Sequence, residues 1–326
     1  MKASSLLAGL SMALSVVLAG TSALAQPDYP AKPVKVVVPY DAGGPVDIMG
    51  RIVLDKLSER LGQQFLIEHR PGAATRIGTE NVVRAEPDGY TLLYTAVSAI
   101  ITLALTEQEN LGFDVSEDLE PVASTHTGAY VLYVNPTLGI NSAADLITKA
   151  KEQPGAFSYS STGVGAHTYF TSELFKHLSG TDILHVPYKG TNPATQAVVS
   201  NEVSMVFGSP VLHKQYGETG QLKALGVTSL EPLSQFPDLK PLNETVLGFS
   251  STYSFTFFAP KGTPEEIAEK LNAEIGEVLK LDDVREKILA IGEPDGSSRQ
   301  KVREDIAREL NTMTNLVKEV GLKLTE

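Results

Sequence analysis

Along almost the whole chain, apolar positions alternate between a period near two and a period near 3.6, so strands and helices are expected in turn. That pattern predicts an α/β fold with largely parallel sheets. Val34-Lys35-Val36-Val37-Val38 reads as a buried strand. It breaks at Pro39 into the loop Tyr40-Asp41-Ala42-Gly43-Gly44. Pro45 then suits a first helical position and Asp47 a first turn. Ile48, Ile52, Val53, Leu57 and Leu61 form one apolar face of that helix, closed by Gly62. Residues 64–68 read as a short strand, 77–86 as a helix and 90–95 as a buried strand behind the turn Pro87-Asp88-Gly89.

A second series opens with a strand at 130–134 and continues with a helix at 142–151, a strand at 157–159, a helix at 168–178 and a strand at 183–186. The β-branched and aromatic stretch 252–259 reads as a return strand. The chain therefore passes twice between two halves. Thr263-Pro264-Glu265-Glu266 reads as a capping box with proline at the first helical position. A final helix is expected from about 299 to 320, with Val302, Ile306, Leu310, Met313 and Val317 on one face. Neither repeats nor heptads are evident, which argues against solenoids and coiled coils.

The strand–glycine loop–helix pattern occurs twice. In the second half, Phe157-Ser158-Tyr159-Ser160 breaks into Ser161-Thr162-Gly163-Val164-Gly165 before a helix. Each loop is expected to offer unpaired backbone N–H groups at the positive end of a helix dipole, where an anion is stabilised. A pair of such ends predicts two lobes gripping one acidic small molecule. Neither loop has the spaced glycines of a dinucleotide fingerprint, and no G-x-x-x-x-G-K-[ST] phosphate loop is present.

Composition narrows the compartment and the partners. Lys2, the apolar uncharged stretch 6–20 and Ala23-Leu24-Ala25 read as a signal peptide cleaved after Ala25. No cysteine follows, which excludes a lipid-anchored cysteine, disulfides and thiolate chemistry. The remaining length suits two domains. It carries 26 basic against 39 acidic residues, a formal charge of −13 that argues against nucleic acid or anionic lipid as partner. An anionic ligand remains compatible, because helix ends and backbone amides act over short range.

Arg76 stands at an expected helix start, where a bidentate bond to a ligand carboxylate is one use and a solvated surface position the other. Asp41 would repel an anion unless it points outward or meets an ammonium group on the ligand. None of the six histidines has metal-ligand spacing. His167, in the first turn after the second loop, is the candidate for ligand contact, whereas His185 is expected to pack beneath the turn Pro187-Tyr188-Lys189-Gly190. Ser160 or Ser161 near His167 would be the elements of a hydrolase, yet no G-x-S-x-G elbow occurs in the exported chain.

With these motifs in order, the chain resembles the periplasmic solute receptors of the tripartite tricarboxylate transporter system, the Bug-type family. The resemblance rests on Tyr29-Pro30-x-Lys32-Pro33, Val38-Pro39-Tyr40 with Gly43-Gly44 and Asp47, Arg70-Pro71-Gly72-Ala73, Ile77-Gly78, and Pro87-Asp88-Gly89-Tyr90-Thr91-Leu92. In the second half it rests on Pro154-Gly155, Tyr159-x-Ser161-x-Gly163-x-Gly165, Glu173-Leu174-Phe175 and His185-Val186-Pro187-Tyr188-Lys189-Gly190.

The resemblance implies a two-lobed periplasmic-binding-protein fold of type II character with a hinge of two crossing segments. Lobe one would comprise 26–127 plus 251–326 and lobe two 128–250. It implies a monomeric receptor without catalysis, cofactor or metal, which captures a small organic acid and delivers it to inner-membrane permease subunits. A sensory receptor is the alternative role. The ligand-binding residues carried over are Ala42, Gly43 and Gly44 in lobe one and Ser161, Thr162, Gly165 and Ala166 in lobe two, beside Tyr40, Asp41, Arg76 and His167. The chain departs from the family pattern at Asp41, at Ala74-Thr75-Arg76, at Ala166-His167 and at Gly208. These departures point to an acid with an additional polar or basic group, or an aromatic acid.

Overall fold

A computed structural model describes residues 29–106, 111–322 and 324; the expected signal peptide and its cleavage site lie outside them. The first half holds β1 (Val34–Val38), α1 (Pro45–Leu61), β2 (Phe65–His69), α2 (Arg76–Val83), β3 (Thr91–Ala96), α3 (Val97–Thr106) and β4 (Leu119–Ala129). The second holds β5 (Val131–Val134), α4 (Ala143–Glu152), β6 (Phe157–Ser161), α5 (His167–Ser179), β7 (Ile183–Pro187), α6 (Thr191–Val199), β8 (Met205–Gly208) and β9 (Lys223–Val227). The chain returns through β10 (Thr252–Pro260), α7 (Glu265–Leu279), α8 (Asp282–Leu289), β11 (Glu293–Pro294) and α9 (Arg299–Val320).

The strands form two sheets, ordered β11-β4-β10-β3-β1-β2 and β7-β6-β8-β5-β9. Each sheet contains the same unit. In the first, β1 lies parallel between β2 and β3; in the second, β6 lies parallel between β7 and β8. An antiparallel strand follows each unit, β10 beside β3 and β5 beside β8. The sheets are therefore mixed rather than largely parallel, because the strands at the two chain crossings run against their neighbours. In an open sheet of this order a ligand crevice is expected at the carboxyl ends of the parallel strands, where the connections diverge. Both glycine loops leave from those ends.

Local chemistry explains most element boundaries. Gly44 caps α1 in an extended conformation ahead of Pro45, and Gly62 ends the helix in the left-handed region at φ 67°. Ser142 and Ser298 accept the N–H groups of Asp145 and Lys301, starting α4 and α9. The expected capping box at Thr263 is replaced by a different arrangement. Its hydroxyl donates back to the Pro260 carbonyl at 2.8 Å, and α7 begins at Glu265. The buried face of α1 is also rotated from expectation: Met49, Val53 and Leu57 are buried, while Ile48 is 53% exposed. Gly50 lets the helix sit close on β3, since a Cβ there would stand 3.1 Å from the Tyr94 ring.

One apolar cluster takes in residues of both sheets, with Leu93 of β3, Ile100 of α3, Tyr159 of β6, Phe207 of β8 and Met313 and Leu316 of α9. At the crossing, Tyr130 and Thr228 exchange hydrogen bonds of 2.9 Å, and Ser251 N–H donates to the Thr228 carbonyl at 3.0 Å. Among the described residues no helix is long and apolar enough to cross a membrane.

Candidate functional site

The first loop is held from behind by a buried carboxylate. Asp47, 3% exposed, accepts the Gly43 N–H at 2.8 Å and Arg51 Nε at 3.1 Å on one oxygen, while His69 Nε2 lies 2.8 Å from the other. Burial alone would raise its pKa, but the bonds from Gly43, Arg51 and His69 outweigh it and hold the carboxyl down at about 2. The N–H of Gly43, expected to be free for a ligand, is thus committed within the protein. In front of Asp47 lies a hollow of about 520 Å³ bordered by Tyr40, Asp41, Gly44, Val46, Ala96 and Phe255. Asp41, Ala42 and Gly43 are exposed; Tyr40 and Gly44 are half-buried. The Tyr40 hydroxyl lies 3.2 Å from Thr95 Oγ1, and burial raises its pKa against the opposing pull of that bond.

Arg76 opens α2 at the end of the neighbouring strand and is half-buried. The three residues before it, Ala73, Ala74 and Thr75, all have positive φ, at 46°, 48° and 79°. Such strain in non-glycine residues gathers at ligand clamps. The Thr75 hydroxyl, in a residue 7% exposed, has no hydrogen-bond partner among the described residues.

The second loop is braced in the same manner from its neighbouring strand. Ser161, 1% exposed, accepts the Gly163 N–H at 3.1 Å, and its Oγ lies 2.7 Å from His185 Nε2. His185 stacks on Tyr159 at 4.8 Å rather than packing beneath the following turn. Its pKa is lowered by burial, with Glu173 opposing. Ser161 is therefore an internal support and not an exposed nucleophile. Thr162 N–H donates to Thr168 Oγ1 at 3.2 Å, and the two hydroxyls are also 3.2 Å apart. Ala166 caps α5, which has no acidic residue in its first turn. Gly165 is required where it stands: its φ is 78°, and a Cβ would meet the Leu324 carbonyl at 3.0 Å.

His167 is placed differently from expectation. Its ring, 7% exposed, points into the crossing. Nδ1 lies 3.3 Å from the Tyr130 hydroxyl, and Nε2 lies 3.4 Å from Ser251 Oγ and 3.2 Å from Glu309 Oε1 of α9.

Two paths connect the loops. Ala96 borders the first hollow and α3 starts at the next residue; Thr102 on α3 donates to the Gly165 carbonyl at 3.2 Å. Thr102 lies six helical residues beyond Ala96, a rise of about 9 Å along α3. Rings make the second path. Phe255 contacts His126 at 4.7 Å, His126 contacts Tyr253 at 6.0 Å, Tyr253 contacts Tyr130 at 4.9 Å and Tyr130 contacts His167 at 5.5 Å. Asp47, His69, Thr75, Thr102 and His185 were not singled out as site residues from the sequence. Only Asp47 carried a local signal, its first-turn position.

The family described as the tripartite tricarboxylate transporter family receptor matches residues 49–322. Protein BugT of Bordetella pertussis is 32% identical over 314 residues, covering 95% of this chain and 96% of its own. An R. palustris protein solved with adipate is 31% identical, with TM-score 0.73, covering 90% of this chain and 99% of its own. MatC from Rhodopseudomonas palustris with bound malate is 26% identical, with TM-score 0.70 and coverages of 89% and 100%.

Proposed function

Because the chain belongs to the tripartite tricarboxylate transporter family of receptors, we propose that it is exported to the periplasm, captures a small organic acid between two lobes and hands it to a membrane permease. The observation that carries this reading is the approach of the two glycine loops: Thr102, one and a half turns from the first-loop hollow, holds the Gly165 carbonyl of the second. Adipate and malate in the related structures support a carboxylate as the ligand. The lobes comprise 26–127 with 251–326 and 128–250, and the leader is removed after Ala25.

In this reading Tyr40, Asp41, Ala42, Gly43 and Gly44 form the first wall, with Arg76 at its side. Thr162, Gly165 and Ala166 form the second at the α5 end, positioned by Ser161. His167 contributes its backbone there while its ring senses the crossing. Closure follows from ligand binding because only the closed form makes both sets of contacts.

Thermal-shift screening of the exported chain against organic acids tests the proposal. A ligand at a hundred times its dissociation constant adds about 2.7 kcal/mol of stability. Gly44→Val is the companion variant. Gly44 has φ −77° and a Cβ there would meet Asp41 O at an ordinary 3.7 Å, so the fold tolerates the change while the valine occupies ligand space. Retained ligand stabilisation in Gly44→Val would remove the first loop from the site.

A further inference from the structure

The two loops present opposite electrical faces. The N–H end of α5 has no acidic residue in its first turn, so its dipole is uncompensated from within the helix. The N–H end of α1 is already matched by Asp47, which takes the Gly43 amide for itself. The hollow before α1 has walls made chiefly of Tyr40, Pro45, Val46, Ala96 and Phe255. Among the described residues that border it, Asp41 is the single charged one.

A carboxylate entering that hollow meets a like charge at its rim and a helix end that already has its counter-ion. An ammonium group meets an acid and two aromatic rings, which attract a cation and offset its partial desolvation by the apolar walls.

We propose that the ligand is a zwitterion, with an ammonium group beside Asp41 in the first hollow and a carboxylate at the α5 end. This deepens the carboxylate-receptor reading and rests on it; Asp41 becomes the residue that selects among carboxylates. The two charge sites belong to different loops, so the ligand is an amino acid with its charges at the two ends of a short chain.

Calorimetric titration with matched pairs of equal carbon number tests this: ε-aminocaproate against adipate, and δ-aminovalerate against glutarate. The amino acid of each pair is expected to bind at least about tenfold more tightly, the scale of one charged hydrogen bond. Asp41→Asn should bring that ratio close to one by weakening the amino acid. Asp41 is exposed, so equal melting midpoints of parent and variant verify the fold. Tighter binding of the diacids by the parent, or a ratio unchanged by Asp41→Asn, overturns the zwitterion and leaves the carboxylate receptor standing. A chain that binds none of the four overturns both readings.

Discussion

His69 Nε2 and Asp47 Oδ1, 22 positions apart in the chain, stand 2.8 Å from each other and fix the first glycine loop through the second oxygen of Asp47. The same construction recurs in the other sheet, where His185 reaches Ser161 and Ser161 holds Gly163. In both cases a histidine on the outer parallel strand braces a loop that leaves the central one.

The first brace makes stability depend on acidity in a defined direction. The folded Asp47 carboxyl, at about 2, lies below its ordinary 3.8, so the ionised form is favoured by folding. That contribution is complete above the unfolded value and disappears as pH falls from about 4 through about 2. Its size is about 2 kcal/mol, with little screening because the side chain is 4% exposed. Urea unfolding of the parent and of Asp47→Asn between neutral pH and pH ~2 should show the gap closing over that window. A gap constant with pH would mean that the charge of Asp47 contributes nothing.

The second brace is expected to behave as a unit. Ser161→Ala removes the acceptor of Gly163 N–H and the partner of His185, a loss of about 1–3 kcal/mol for buried groups. His185→Ala should lower stability too, and the double variant should fall short of the summed losses by at least about 0.5 kcal/mol. Strict additivity in denaturant midpoints would show that the 2.7 Å contact carries no coupling.

At the crossing, His167→Ala removes the ring that meets Tyr130, Ser251 and Glu309. Unfolding free energy should drop by about 1–3 kcal/mol, since the Tyr130 and Ser251 hydroxyls lose a hydrogen-bond partner. A change below about 0.5 kcal/mol, the scale of surface substitutions, would return His167 to the role of an ordinary first-turn residue.

Much of this architecture was legible because it is written locally. α9 spans Arg299–Val320, where its apolar period predicts a helix. The two glycine loops were likewise visible as turn chemistry between strands and helices. The rotation of α1 was not, because the face a helix buries depends on tertiary neighbours such as Tyr94, which stands close over Gly50 from a strand later in the chain. α3 was missed as well: it begins at Val97 directly after β3, without the glycine, proline or polar turn that marks other boundaries. The braces escaped for a related reason. Asp47–His69 joins a helix to a strand and Ser161–His185 joins two neighbouring strands, each across more than twenty residues, and no spacing rule links such pairs in a single sequence. Their effect on the site is large, since they withdraw the Gly43 and Gly163 amides from the pool available to a ligand.

The apolar seam through α9 sets how the polypeptide comes apart. Each sheet has an apolar cluster of its own, but a further cluster holds residues of both together with Met313 and Leu316, so the melting of one sheet strips packing from the other. Scanning calorimetry should record a single heat-absorption peak whose van't Hoff and calorimetric enthalpies agree. Two resolved peaks would mean that the shared cluster does not couple the halves.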